Sequence, residues 1–471
     1  MEWREPTSHP SDCYFCSCNV TGHNKNSKKR IIYPNIESVS YPIYKNDFIR
    51  QNVKEIEEGE ECTDEYFSEN RDSDEDGTNS DDESASKFNQ EELNDLVRDL
   101  GLSKESSELL ASRLKEKKSL TRGTSITFYR ERDSSFRKYF CKESYLTYCT
   151  DVEGLVNEFS SIPYKDTDRR LFIDSSIRSL KTVLLHNGNI YTSLSVAHSV
   201  TLKEEYNNLD FVLTKLNYNA HKWEICGDLK ILTILLGQQS GFTKFPCFLC
   251  EWDSRNRQDH WTRKEWPARS EMQVGSKNVI KQHLIDPKSV LLPPLHIKLE
   301  LVKQMVKAMR NENRVVFNYL FSKFPKLSEA KIKEGVFDCP QIRLLMRDKE
   351  FEEAMTPIEK AAWTSFREVV NKFLGNNKDR NYKQIVETML VNFEKLGCLM
   401  NLKIHFLHSH IDYFPENLGN FSEEQGERFH QDIKDMERRY QGVWDEHMMA
   451  DYCWNLKRDC KIQHKRKAKI L

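Results

Sequence analysis

Two aspartates close short apolar runs: Asp174 ends "LFID" and Asp228 ends "EICGD". Both runs read as β-strands, which places one carboxylate at each strand end. If the strands are neighbours, the carboxylates come together. Two such groups repel unless a divalent cation lies between them. Mg2+ takes hard oxygen ligands, and a metal pair can activate a water or a 3′-hydroxyl in phosphodiester chemistry. Each Asp taken alone also suits a turn or a helix N-cap, since "DSS" and "GDL" follow those patterns. A third carboxylate would complete a metal site, and "SEEQGERFHQD" offers three glutamates. Ser422 as N-cap with Gln425 three residues on forms a capping box. Glu423 and Glu424 then fall in the first turn, where the helix dipole favours them without further role. Glu427, one turn in, is the preferred third ligand, with Glu424 as the alternative.

Softer ligands are grouped as well. "FPCFLCEWDSR" holds Cys247-x-x-Cys250, a tight clamp for a tetrahedral ion such as Zn2+. Redox use of a CxxC is the competing reading, but that motif ordinarily opens a helix after a strand. Two further ligands are required. His260 and His283 are near in sequence; His405, His408 and His410 are distant. The distant set explains more. A metal held by cysteines where the chain leaves the sheet and by histidines where it returns would close a long loop and fix the last helix. At most two of the three distant histidines can serve.

The elements that must position these residues follow in order. Residues 1–54 carry Cys13-x-x-Cys16, Cys18 and His23, which read as part of a zinc knuckle. Residues 55–86 hold fifteen Asp or Glu and one Arg, so the rest of the chain carries +12 against an overall −2. Such a stretch is too polar to fold, and 55–89 reads as a disordered acidic linker. The remaining basic surplus suits a polyanionic partner such as DNA, and equally a plain solvated surface. Residues 90–165 read as helical, with Leu93, Leu96, Val97 and Leu100 on one face and Ser103 as an N-cap.

From 166 to 250 the pattern is three strands ("RRLFIDSS", "KTVLLHNG", "NIYTSLSVAHSV"), a helix, a fourth strand ("KWEICGDL") and another helix, with "HNGN" as a hairpin turn. Residues 251–402 read as a mainly helical insertion, 403–456 as the returning segment with the glutamate helix, and 457–471 as a basic tail. The fold class expected is α/β: a mixed sheet with a large all-α insertion. No apolar run approaches the roughly 18 residues a membrane-crossing helix needs. The start "MEWREPTSHP" lacks the pattern of a secretory signal, and thirteen cysteines, mostly single, suit a reducing compartment. His186 and His198 lie close enough to the expected hairpin to face the same site, though packing roles suit them better.

Asp174, Asp228 and Glu427, with a helical stretch before the glutamate, resemble the DDE transposases of the RNase H-like fold. The CxxC behind the second Asp and the His405-x-x-x-x-His410 spacing resemble the zinc site of the V(D)J recombinase core and of several cut-and-paste transposases; His408 does not fit that spacing. "ERFHQDIK" is similar to the glutamate helix of hAT and PIF-type transposases. "LFIDSS", "LLHNGN", "ICGDLK", "CFLCEWDSR", "FPENLG", "EEQGERFHQD" and "MMADYCW" together resemble a many-copy group of transposon-derived animal proteins. The resemblance covers most of the chain from about residue 90. It implies an RNase H-like mixed sheet, Mg2+ or Mn2+ at the Asp-Asp-Glu triad, structural Zn2+, cleavage and transfer of DNA ends, a homodimer on DNA and a nuclear location. A non-catalytic DNA- or chromatin-binding protein of the same fold is the alternative, and an enzyme acting on RNA or hybrids is a third reading. The tail "HKRKAK" suits a nuclear localisation signal or a phosphate-contacting arm.

Overall fold

The computed structural model describes residues 87–461 apart from 161, 177–178, 310–313, 377, 423 and 442. The Cys13/Cys16/Cys18/His23 segment, nearly all of the acidic stretch and most of the basic tail lie outside the described residues. The centre is a six-stranded mixed sheet in the order β1-β2-β5-β4-β3-β6. Its strands are β1 (Phe140–Glu143), β2 (Leu146–Cys149), β3 (Arg169–Ser176), β4 (Ser179–His186), β5 (Leu194–Ser199) and β6 (Glu224–Gly227). Neighbours are antiparallel except β3 and β6, which are parallel. A parallel bridge from Ile225 to Val290 extends the β6 edge.

Helices cover both faces, which is why the central strands read as unbroken apolar runs. Every residue of β4 is buried. Leu171, Ile173, Leu184 and Ile225 point into the larger core. Phe172, Val183, Leu185 and Cys226 point the other way, onto Phe429, Ile433, Met436, Trp444, Met448 and Tyr452.

The first helices are α1 (Gln90–Asp99) and α2 (Lys104–Glu116). Asn89 caps α1 with a full capping box, and Ser103 caps α2 as its sequence suggests. Leu93 and Val97 are buried, but Leu100 lies beyond the last turn and is exposed. Contrary to the helical reading of 90–165, residues 140–149 form the β1–β2 hairpin. Its turn passes through Ser144 at φ 54°, a left-handed turn without the Gly or Asn that would have announced it.

Helix α3 (Tyr206–Lys215) connects β5 to β6, and α4 (Leu229–Leu235) follows β6. The third strand is shorter than expected: residues 187–193 turn and bend before β5 begins at Leu194, with Gly188 and Asn189 both at positive φ.

The insertion is less uniform than its sequence suggests. Residues 251–293 contain no α-helix, only a 3-10 turn at Pro287–Ser289. Regular helix begins with α5 (Pro294–Met309) and continues, after several shorter helices, with α6 (Pro357–Lys372) and α7 (Tyr382–Leu396). Thr356 and Glu359 close a capping box at the start of α6, and Gly397 ends α7 in the left-handed conformation. The chain then returns through α8 (Leu402–Ser409), α9 (Glu424–Arg439) and α10 (Glu446–Lys461). Among the described residues no helix is long and apolar enough to cross a membrane.

A buried ion pair joins the start of this unit to its end. Arg132 donates to both carboxylate oxygens of Asp451, at 2.6 and 3.0 Å, and also to Ser107 Oγ and the Leu102 carbonyl. The Tyr440 hydroxyl donates to the same carboxylate at 3.1 Å.

Candidate functional site

The best-defined cluster is built from four side chains that meet across the insertion. The ligand atoms of Cys247, Cys250, His405 and His410 all lie within 4.8 Å of one another. Cys250 Sγ is 3.3 Å from His405 Nε2 and 3.2 Å from His410 Nε2, while Cys247 Sγ is 3.5 Å from His410 Nε2. A tetrahedral ion with bonds of about 2.3 Å to sulfur and 2.0–2.1 Å to nitrogen needs sulfur–nitrogen separations of about 3.5 Å. The donor set therefore fits a metal ion. Among the described residues it is the one group of three or more His, Cys, Asp or Glu side chains brought together in this way.

Local structure explains the convergence. The Cys247 and Cys250 side chains are buried and form no disulfide. The Leu249 amide donates to Cys247 Sγ, and the Arg269 guanidinium holds the Cys247 and Phe245 carbonyls. Asn401 caps α8 by accepting from the Lys403 and Ile404 amides, which sets the helix that carries His405. His410 sits at the other end of α8, where its amide closes the last turn on Phe406. The Trp252 indole stacks on the His405 ring at 4.5 Å and 10°.

Electrostatics favour the ligand form at Cys250 and at His405. Hydrogen bonding from the Cys247 thiol, then from both imidazoles, pushes Cys250 down to about 3. Burial pushes Cys247 up. The pair shares its protons, and the direction that stands is easy loss of the first one. Burial holds His405 below the usual histidine range, so its ring is neutral.

The other histidines lie elsewhere. His408 is buried with Nδ1 against Ser409 Oγ, and burial lowers it to about 4. His260 Nε2 faces the Asp253 carbonyl, and His283 packs beside Gln282. None of these three joins the donor set.

The two aspartates follow neighbouring strand positions. Ile173 and Gly227 are the last partners in the parallel β3–β6 ladder, and Asp174 and Asp228 are the residues that come next in each chain segment. Asp174 lies within β3, which runs on to Ser176, whereas Asp228 stands just past the end of β6. Phe172, two residues before Asp174, faces α9 and α10, and strand alternation directs Asp174 to that side. Asp228 is also the N-cap of α4: its carboxylate accepts the Ile231 amide at 2.8 Å. The half-buried Lys403 ammonium, lowered by desolvation, lies within reach of the Asp228 charge and pairs with Glu300 at 3.6 Å.

Glu427 follows Gly426 on α9. A Cβ on Gly426 would fall 2.5 Å from the Phe172 ring, so the helix backbone rests directly on β3. The Glu427 side chain lies outside the described residues. Glu424 is exposed and contributes to the electrostatic surroundings of Cys339 in the insertion. Among the described side chains no third carboxylate is grouped with Asp174 and Asp228.

The expected capping box at 422–425 forms only in part. The Glu424 amide donates to Ser422 Oγ, but Gln425 reaches away to the Asn189 carbonyl and Ser193. It is diverted because the 187–193 bend clamps the entry to α9. Arg170 donates to the Ser422 and His186 carbonyls, and Asn189 to the Gly419 carbonyl.

The sequence reading missed one feature of this face. The ladder places Asp174 opposite Lys181, Lys181 opposite His198 and His198 opposite Thr147. These form a polar row across an otherwise apolar surface. Lys181 pairs with Glu437 of α9 at 3.3 Å, and the His198 ring stacks on Trp444. His198 is therefore a packing group. His186 is buried beside Tyr191 at the opposite end of β4 from the aspartates.

No curated protein matches the chain. Two family models do: residues 128–285 match one described as "Domain of unknown function (DUF8703)", and residues 294–375 match one described as "Domain of unknown function (DUF8704)". The first match spans the whole sheet with both aspartates and both metal-site cysteines, and the second the start of the helical insertion.

Proposed function

We propose that the chain is a DNA transposase-like nuclease and strand transferase of RNase H-like fold, with Asp174, Asp228 and Glu427 as its metal-binding triad. One observation carries the reading: Asp174 and Asp228 directly follow Ile173 and Gly227, the last partners of the parallel β3–β6 ladder, and the Glu427 helix packs on Phe172 of β3. Mg2+ or Mn2+ held there would supply Lewis-acid stabilisation of the attacking and leaving oxygens. The chain's own part is to hold two carboxylates side by side on a rigid sheet and to seat α9 over them.

Zn2+ at Cys247, Cys250, His405 and His410 would be structural, since all four positions are filled by protein. It would join the exit from the sheet to the return. DNA as substrate, a homodimer as the working form and a nuclear location belong to the same reading.

A second reading, a non-catalytic DNA- or chromatin-binding protein, is favoured by the hydrogen bond that commits one Asp228 oxygen to capping α4. Nicking of supercoiled plasmid by the full chain in Mg2+ or Mn2+ separates the two. Catalysis requires nicking that Asp228→Asn and Asp174→Asn abolish. DNA binding without metal-dependent nicking by the wild type would refute the first reading and leave the second. Competition by RNA or hybrid duplexes tests the nucleic acid class.

A further inference from the structure

Phe242 is fully exposed, at 108% of its reference surface. An aromatic ring standing wholly in water offers both its faces to a ligand, and its setting here is braced. The Thr243 amide turns back onto the Gly241 carbonyl, and Gly241 has φ 95°, a turn that a side chain would strain. The Ser254 amide donates to the Lys244 carbonyl, and Ser254 Oγ donates to the Thr243 carbonyl at 2.7 Å. The Phe245 amide is held by Asn278 and the Phe245 carbonyl by Arg269. The loop is thus tied on three sides while its tip projects.

The two Ser254 bonds join the 253–257 segment to Thr243 and Lys244, the residues that follow Phe242. Arg255 and Arg257 in that segment are exposed. Of the nearby acids, Asp253 pairs with Lys244 at 3.3 Å and Glu251 with Lys277 at 2.9 Å, while Asp259 accepts from Asn256 Nδ2 at 2.8 Å. Neither guanidinium forms an ion pair among the described residues, so two exposed positive charges stand on the segment that is bonded to the loop carrying a bare aromatic ring. That combination suits a polyanion carrying flat apolar faces: arginines take phosphates and the ring takes an unstacked base.

We propose that Phe242, with Arg255 and Arg257, is a contact surface for nucleic acid that presents an unpaired base. The inference rests on the nucleic-acid reading above but not on its catalytic part. It assigns the metal-anchored loop a second task, holding a distorted or single-stranded stretch of substrate.

The test uses the full chain and two duplexes of one sequence, one fully paired and one with a single unpaired 2-aminopurine. The wild type should favour the second and quench its fluorescence. Phe242→Ala should weaken binding to that probe by roughly 5- to 150-fold and abolish the quenching, with little change for the paired duplex. Phe242→Trp should restore both. The double variant Arg255→Ala/Arg257→Ala should weaken both probes and reduce the slope of log affinity against log salt by about 2.

Binding and quenching by Phe242→Ala equal to wild type would overturn the proposal. So would loss of a homodimer by sedimentation in Phe242→Ala, because the ring would then face a second copy of the chain. Phe242-dependent binding without plasmid nicking removes the catalytic reading and keeps this surface. Nicking at wild-type rate and affinity by Phe242→Ala does the reverse.

Discussion

Removal of the metal from the Cys247/Cys250/His405/His410 site should loosen the whole unit, and the size of the effect can be worked from the chain. Cys250 and His405 are 155 residues apart. Cross-linking a loop of that length removes roughly 17 cal/mol/K from the unfolded ensemble, about 5 kcal/mol at 25 °C. Unfolding entropies of about 2 cal/mol/K per residue over a few hundred residues convert this to a fall in Tm of about 6 °C. The assay is thermal unfolding by circular dichroism with and without a chelator, alongside metal analysis of the purified chain. About one zinc per chain is expected. Cys250→Ser and His405→Ala should each abolish the chelator response and unfold near the chelated wild type. Their double variant should fall little further, because the first loss already opens the loop. His408→Gln should cost packing yet keep the metal and the response. A chain without stoichiometric metal, or a chelator shift unchanged in Cys250→Ser, would refute the reasoning.

Gly426→Ala puts a methyl group 2.5 Å from the Phe172 ring, and should destabilise by about 1–3 kcal/mol in chemical denaturation although alanine is the better helix former. Phe172→Leu should recover part of the loss. Arg132→Met leaves the buried Asp451 carboxylate uncompensated and should cost about 3–5 kcal/mol, with Arg132→Met/Asp451→Leu costing less than the two single changes together. Asp228→Asn should leave thermal stability nearly unchanged because asparagine caps as well as aspartate, whereas Asp228→Ala should lose about 1 kcal/mol. That difference separates the capping role of Asp228 from any role of its charge.

The candidate site was legible where residue type and position carried the signal together. Asp174 and Asp228 each interrupt an apolar run at its end, and a carboxylate there must face solvent, a cap or a cation. CxxC with a distant histidine pair is equally specific, because a metal fixes ligand number and distance. The polar row was not legible. With both faces of β4 covered, its sequence shows no alternation, and nothing in "SLKTVLLH" marks Lys181 as facing Glu437 rather than solvent. The β1–β2 hairpin was hidden for a related reason: "FCKESYLTYC" turns at a serine, and its strands are short. Gln425 had the right spacing for a capping box, but spacing carries no information about Asn189, which binds it instead.

The placement of the metal donors at the two ends of the insertion has a consequence for how such a chain can change. Once Cys247 and Cys250 are joined to His405 and His410, the segment between them is a closed cartridge, anchored at its neck. Lengthening a closed loop is cheap: each doubling costs only about 0.6 kcal/mol in closure entropy. Helices could be added to the cartridge, removed or exchanged while the neck keeps its geometry and the sheet keeps the register that pairs Ile173 with Gly227, just before Asp174 and Asp228. The neck, rather than the bulk of the cartridge, is then the part that tolerates least change.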